Sequence, residues 1–299
     1  MTAPFRVGFV GVGLMGHGIA RNLLEAEHTL SFLDHPGNQP TEDLRALGAD
    51  SQTTLADTVR DKNVVLLCVT GTPEVEAVTL ADGGLVDHLA PDTIVVDCST
   101  AQPDSTLKVA ARIKAAGAHY LDAPMTRTPK EAEAGKLNLM VGGETAVLDQ
   151  IRPLLSAFAE NIYHVGPTGS GHRMKLLHNF VSIGFTGLLA EATACAQSSG
   201  VDLERFVQVL DSGGGHGVVL DRLTPYILAH DYGAFRFSIS NCHKDLSYYT
   251  HMADSMGLAS IGAHALEQVF ALAKADGAGE QPAPTLIDWL SGTPLRDKG

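Results

Sequence analysis

Gly11-x-Gly13-x-x-Gly16 constrains this chain more than any other feature, because of what stands on either side of it. An apolar run, Val7–Val10, precedes it, and apolar residues recur after it at Ile19, Ala20, Leu23 and Leu24. The run reads as a buried strand and the stretch after it as a helix. In that setting each glycine has its own reason: a tight turn, close approach of the backbone to a pyrophosphate, and close packing of helix on strand. The helix start then offers unpaired N–H groups to phosphates. Leu30–Leu33 reads as the next strand and leads into Asp34. A carboxylate there accepts hydrogen bonds from both adenosine ribose hydroxyls and repels a 2′-phosphate. The motif predicts a dinucleotide site with NAD as cofactor, contacted by Gly11, Gly13, Leu14, Met15, Gly16 and Asp34. A glycine turn without a ligand is the bland alternative, and a protonated His35 would partly tolerate the phosphate.

Further short apolar runs follow at Val64–Val69, Ile94–Val96, Tyr120–Leu121 and Leu139–Val141, most of them separated by helical segments. That alternation predicts βαβ units and a mainly parallel sheet. The pattern changes after the polar, glycine-rich Gly166–Gly171. Met174–Ala196 has helical periodicity and no proline, and most later segments are helical, broken by Gly213–Gly215 and by Pro225. The expected organisation is an α/β Rossmann domain over residues 1–166 and an all-α domain over residues 167–299, with a frayed tail after Gly292.

Acidic residues number 34 against 21 lysines and arginines, a formal charge of −13. Such a surface repels nucleic acid, and an anionic substrate would need local positive charge. Cys68, Cys98, Cys195 and Cys242 form no C-x-x-C pair, which predicts buried reduced thiols and neither a metal site nor a disulfide framework. No signal-like leader and no uncharged apolar stretch long enough for a bilayer are evident, so a cytoplasmic protein without a membrane role is expected.

Lys175, His178, Asn179 and Ser182 are spaced i, i+3, i+4, i+7 and share one helix face. A polar stripe can simply be solvated. Here Leu176, Leu177, Phe180, Val181 and Ile183 crowd the rest of the helix, which predicts burial and a need for partners or a ligand. Lysine suits proton transfer to a carbonyl oxygen during hydride transfer. Its ordinary pKa, about 10.4, must fall for that role, through burial or a second cation. Lys244, in His243-Lys244-Asp245-Leu246, is the candidate cation; the alternative is a surface lysine paired with Asp245.

Taken together, these motifs resemble the β-hydroxyacid dehydrogenase family over nearly the whole chain. Gly11–Gly16 with Ala20, Asn22 and Leu23 looks like its cofactor signature. Asp97-Cys98-Ser99-Thr100 looks like its D-x-S-T turn beside the nicotinamide ribose, and Asp122-Ala123-Pro124 like the start of its substrate loop, closed by Met140–Gly143. Gly169-x-Gly171-x-x-x-Lys175 with Asn179 looks like its catalytic motif, and Lys244-Asp245-Leu246 like its late K-D-L motif. The resemblance implies Lys175 as general acid/base, Asn179 as a substrate-orienting residue, Lys244 near cofactor or substrate, Val69 and Thr100 beside the cofactor, and a homodimer or homotetramer. Keeping Lys175 argues against the related imine reductases.

Two departures bear on substrate. The family usually has Ser-Gly-Gly where this chain has Thr126-Arg127-Thr128, and Asn where it has His178. An arginine in that loop resembles the sulfolactaldehyde-reductase subgroup. A planar guanidinium suits a sulfonate, phosphonate or second carboxylate, unless Arg127 points to solvent or pairs with Glu131 or Glu133. The expectation is an NAD-dependent enzyme for a small anionic 3-hydroxy acid or hydroxysulfonate, binding it through Thr126, Arg127, Thr128, His178, Asn179, Ser182 and Lys244. A 3-hydroxyisobutyrate or tartronate-semialdehyde type is the first alternative. A non-catalytic nucleotide sensor is the second, disfavoured by Lys175, Asn179 and Lys244.

Overall fold

The computed structural model describes residues 4–292, so the tail expected to fray lies outside them. Two compact units divide between Lys175 and Leu176.

The first unit alternates strands and helices: β1 (Arg6–Val10), α1 (Gly16–Glu25), β2 (Thr29–Leu33), α2 (Glu42–Ala46), β3 (Asp50–Gln52), α3 (Leu55–Val59), β4 (Val64–Leu67), α4 (Thr72–Leu80), β5 (Ile94–Asp97) and α5 (Pro103–Ala115). It continues with β6 (His119–Asp122), β7 (Met125–Thr126), α6 (Pro129–Glu133), β8 (Leu137–Gly142), α7 (Thr145–Leu155), β9 (Ala159–Gly166) and the start of α8 (Ser170–Ser198). The strands form one sheet in the order β3-β2-β1-β4-β5-β6-β8-β7, with β9 also beside β8. From β3 to β6 every neighbouring pair is parallel, and β8 then runs antiparallel to β6. This is a Rossmann sheet. Helices on both faces make the central strands apolar throughout: β4 is buried at every position, Val64 to Leu67. Separate apolar cores form around Phe9, Ile19 and Phe32 and around Val65, Leu85 and Val109.

The second unit is helical: the rest of α8, then α9 (Leu203–Asp211), α10 (Val218–Ala229), α11 (Ile239–Ser255), α12 (Ile261–Ala273) and α13 (Leu286–Ser291). Its core gathers Leu189, Leu223, Leu246, Phe270 and Leu286.

Three expectations are refined by the structure. Pro225 does not break the chain but lies inside α10. A proline there removes one backbone donor, and the helix continues because Leu223, Tyr226 and Ile227 remain buried in the core. One helix, α8, does reach the length and apolarity of a bilayer span, yet 56% of the relevant window is buried inside the protein, as in the core helix of a globular fold. Of the cysteines, Cys98 and Cys242 are buried, but Cys195 is exposed. Burial pushes the Cys98 and Cys242 thiols well above their ordinary pKa, so neither is a ready nucleophile.

Candidate active site

The expected cofactor contacts of the first unit lie at one end of the parallel sheet. The glycine turn follows β1, Asp34 follows β2, Val69 follows β4 and Thr100 follows β5. Strand order reverses at β1, with β2 on one side and β4 on the other. A crevice beyond the carboxyl ends of strands at such a reversal is where open α/β sheets bind ligands.

The three glycines differ in what constrains them. Gly11 has φ +98°, and a Cβ on it would stand 2.3 Å from the Cys68 carbonyl oxygen. A Cβ on Gly16 would stand 2.0 Å from the Gly11 oxygen. A Cβ on Gly13 would meet no protein atom nearer than Gly37 O, at 3.9 Å. The chain's own packing therefore dictates the outer two glycines but not the middle one, whose open side has room for a pyrophosphate. At its start α1 has neither a capping side chain nor an acidic residue in the first turn, so nothing there competes with an anion. Leu14 projects from the turn, 61% exposed. Asp34 is exposed at the end of β2, and the next residue, His35, accepts the Gly37 N–H on Nδ1 at 3.0 Å.

Beyond β5 the chain is tightly bonded. Ser99 donates its N–H to Asp97 Oδ1 (2.9 Å) and takes the Val69 N–H on its hydroxyl (3.1 Å). Asp97 is fully buried and also accepts from the Tyr120 hydroxyl (2.9 Å). At the end of β6, buried Asp122 accepts the N–H of Gly169 (2.7 Å) and of His172 (2.9 Å), and so caps the start of α8. Burial raises the Asp122 pKa, against the opposing charge of His172 and these two bonds.

Lys175 is half-buried, and its Nζ donates to the Met125 carbonyl at 2.7 Å, which brings the amine to the expected substrate loop. That loop starts as β7, paired with β8. The Thr126 hydroxyl accepts from Asn138 (3.2 Å). Thr128 gives both its N–H (2.9 Å) and its hydroxyl to Glu131, and so opens α6. Arg127 has φ +84°, the left-handed region that suits the glycine usual there. Its Nη1 meets Glu160 Oε2 at 2.6 Å and the Lys136 carbonyl oxygen. The pairing with Glu131 or Glu133 weighed above is not the one formed: Glu131 binds Thr128, and Glu133 binds His17 and Arg21.

In the second unit, Asn179 is buried and donates Nδ2 to Asp245 Oδ2 at 2.6 Å. Its Oδ1 faces His178 Nδ1 at 3.1 Å, so that nitrogen holds the proton. Lys244 stands 3.2 Å from Asp245 Oδ1 and 5.6 Å from the centre of the Tyr248 ring. Asp245 is 2% exposed, so the Lys244–Asp245 pair is internal rather than a surface pair. Ser182 is half-buried on the same helix face.

Glu160, Asp122 as a helix cap, and His172 were not among the expected site residues. Glu160 is 33 positions from Arg127, and no local pattern links the two. His172 fills an unspecified position of the Gly169–Lys175 motif. Asp122 was read only as the start of the loop; its partners Gly169 and His172 lie 47 and 50 positions further on, so no local pattern marks it as a cap.

The chain matches known proteins over most of its length. Residues 6–166 match the NAD-binding domain of 6-phosphogluconate dehydrogenase. Residues 169–290 match the corresponding NAD-binding segment of NADP-dependent 3-hydroxyisobutyrate dehydrogenase. The chain is 33% identical to an NAD-dependent L-serine dehydrogenase of Pseudomonas aeruginosa over 221 residues, 74% of each chain. It is 28% identical to the 3-sulfolactaldehyde reductase of Escherichia coli over 283 residues, 94% of each. In fold it matches the Mycobacterium tuberculosis 3-hydroxyisobutyrate dehydrogenase solved with L-serine, with a TM-score of 0.85 at 24% identity, over 96% of this chain and 99% of that one. The protein is thus an oxidoreductase that uses a nicotinamide dinucleotide. It belongs to the β-hydroxyacid dehydrogenase family.

Proposed function

We propose that the protein interconverts a small anionic 3-hydroxy acid or hydroxysulfonate and its aldehyde, with NAD as cofactor and Lys175 as the proton carrier. The 2.7 Å bond from Lys175 Nζ to Met125 O supports this reading most directly, because it brings a titratable amine to the loop assigned to substrate. The nicotinamide, when bound, supplies or accepts hydride. Lys175 gives a proton to the carbonyl oxygen in reduction and takes it from the hydroxyl in oxidation. Asn179, oriented by Asp245, is assigned to the substrate with His178, Ser182 and Lys244; Thr126, Arg127 and Thr128 are assigned to its acid group. The cofactor is assigned to Gly11, Gly13, Leu14, Met15, Gly16, Asp34, Val69 and Thr100, and Lys244 is assigned to it as well.

Selection for NAD rests on Asp34. The expected kcat/KM is at least about tenfold higher with NAD than with NADP, equivalent to about 1.4 kcal/mol. Steady-state assays with both cofactors check it, and a native preference for NADP overturns it.

The head group rests on Arg127. Both of its contacts use Nη1, and the Nε–Nη2 edge of the fork is assigned to the anion. Losing that charged bond in Arg127→Gly costs about 1.5–3 kcal/mol, or roughly tenfold to a hundredfold in kcat/KM for anionic substrates, with little change for neutral aldehydes. Glu160→Gln removes the competing carboxylate and should lower KM for anions by about twofold, the scale of a half-exposed ion pair. Plain carboxylates are the second reading, favoured by the charge Arg127 already shares with Glu160. A panel of carboxylate and sulfonate substrates separates the two, and equal losses for anionic and neutral substrates would reduce Arg127 to a loop support.

A homo-oligomer is assigned as well. Met174, Leu177, Val181 and Leu188 are exposed along α8, an apolar strip suited to a second copy of this chain. Val181→Asp should shift the protein towards monomer in light scattering; an unchanged mass would place the interface elsewhere.

A further inference from the structure

His172 is fully buried in the first turn of α8, three residues ahead of Lys175. An imidazole shut off from water needs partners from the protein for both nitrogens. Nε2 lies 3.2 Å from the Ser99 carbonyl oxygen, which can only accept, so Nε2 carries a proton. Nδ1 lies 2.7 Å from the Thr106 hydroxyl, which also reaches Gln102 O at 3.0 Å. The backbone N–H of the same residue is the one donated to Asp122. One residue is thus bonded to the turn after β5, to α5 and to the end of β6. The turn after β5 is itself held through Ser99 to Val69 and Asp97. Val69, assigned to the cofactor, is bonded into this network, and Thr100, also so assigned, follows Ser99 in the chain.

We propose that His172 is a positioning residue for the reaction: its bond to Ser99 O ties the cofactor-side turn to the first turn of α8, and so sets where Lys175 holds its amine. The proposal rests on Lys175 being the proton carrier. An apolar side chain of similar size would fill the same volume but would not supply the bond. Lys175 follows His172 by one helical turn, so a small shift of that turn displaces the amine, and a misplacement of about 1 Å at a reacting group can cost a hundredfold in rate.

A double-mutant cycle tests this. His172→Leu keeps the bulk and removes the donor. It should lower kcat about tenfold in the native background and less than about twofold in Lys175→Ala, where no amine remains to be placed. Calorimetry without substrate gives a readout independent of turnover. The dissociation constant for NAD should rise about threefold in His172→Leu, a loss within the range of one hydrogen bond. His172→Gln, whose amide N–H can reach the same carbonyl, should restore both values. Equal kcat losses on the two backgrounds, or losses that follow the melting temperature and are not restored by glutamine, would overturn the proposal. If His172→Leu does not fold, Thr106→Val removes the Nδ1 partner and carries the same cycle. Near-native turnover in Lys175→Ala alone would refute the lysine's role instead, and the calorimetric arm would still test the tie between His172 and the turn.

Discussion

Replacing Lys175 with alanine should lower turnover by at least about two orders of magnitude, the scale of positioned acid–base catalysis. The dissociation constant for NAD should change by less than about twofold, because only proton transfer is lost. Lys175→Arg separates charge from chemistry. Arginine keeps the positive charge and can still reach the Met125 carbonyl, but it does not release a proton at any working pH. Its turnover should therefore fall nearly as far as that of the alanine variant. Steady-state kinetics in both directions, with calorimetry for the cofactor, check both variants. An arginine variant with near-native turnover would make the residue an electrostatic support only.

The largest expected effect on stability is at Asp122. This buried carboxylate accepts two backbone N–H groups at the start of α8. Asp122→Ala leaves both without a partner and should cost about 2–5 kcal/mol in denaturant unfolding. Asp122→Asn keeps one acceptor oxygen and should cost about 1–2 kcal/mol. The two variants also differ from the native protein in pH dependence. Because burial raises the Asp122 pKa, the folded state holds a proton that the unfolded chain has already released. The carboxyl's contribution to stability is fully present below its ordinary range and is lost as pH rises through the raised value. The asparagine variant lacks that slope, so its deficit relative to the native protein should narrow as pH rises through this window. Parallel stability curves would show that the cap titrates alike in both states.

The helical half and the central sheet were legible because their signals are local. β1, β2, β4, β5, β6 and β8 each coincide with an apolar run. The strands that escaped notice lack one: β3 is Asp-Ser-Gln, β7 is two residues long, and β9 mixes Glu160, Asn161 and His164 with Ile162 and Val165. Tertiary pairing makes these strands, and β9 is held largely by its register with β8. The same division runs through the site. Gly11, Gly13 and Gly16 announce themselves by spacing, and Lys175 and Asn179 by sharing a helix face. Glu160 and His172 do not, because each acts through a partner distant in sequence. Pro225 shows the reverse error, a local rule overridden by the core packed around it.

The left-handed backbone of Arg127 has a consequence for how this enzyme can change. An arginine at positive φ costs about 1–2 kcal/mol relative to glycine, and its half-exposed pairing with Glu160 returns about 1 kcal/mol at most. The folded chain is left with a net cost of up to about 2 kcal/mol in carrying arginine rather than glycine at this position. Exchanging the two also alters the charge offered to an incoming molecule. On the proposed assignment of Arg127 to the acid group, a lineage carrying this fold trades one acid group for another by a single substitution worth no more than about 2 kcal/mol to the scaffold.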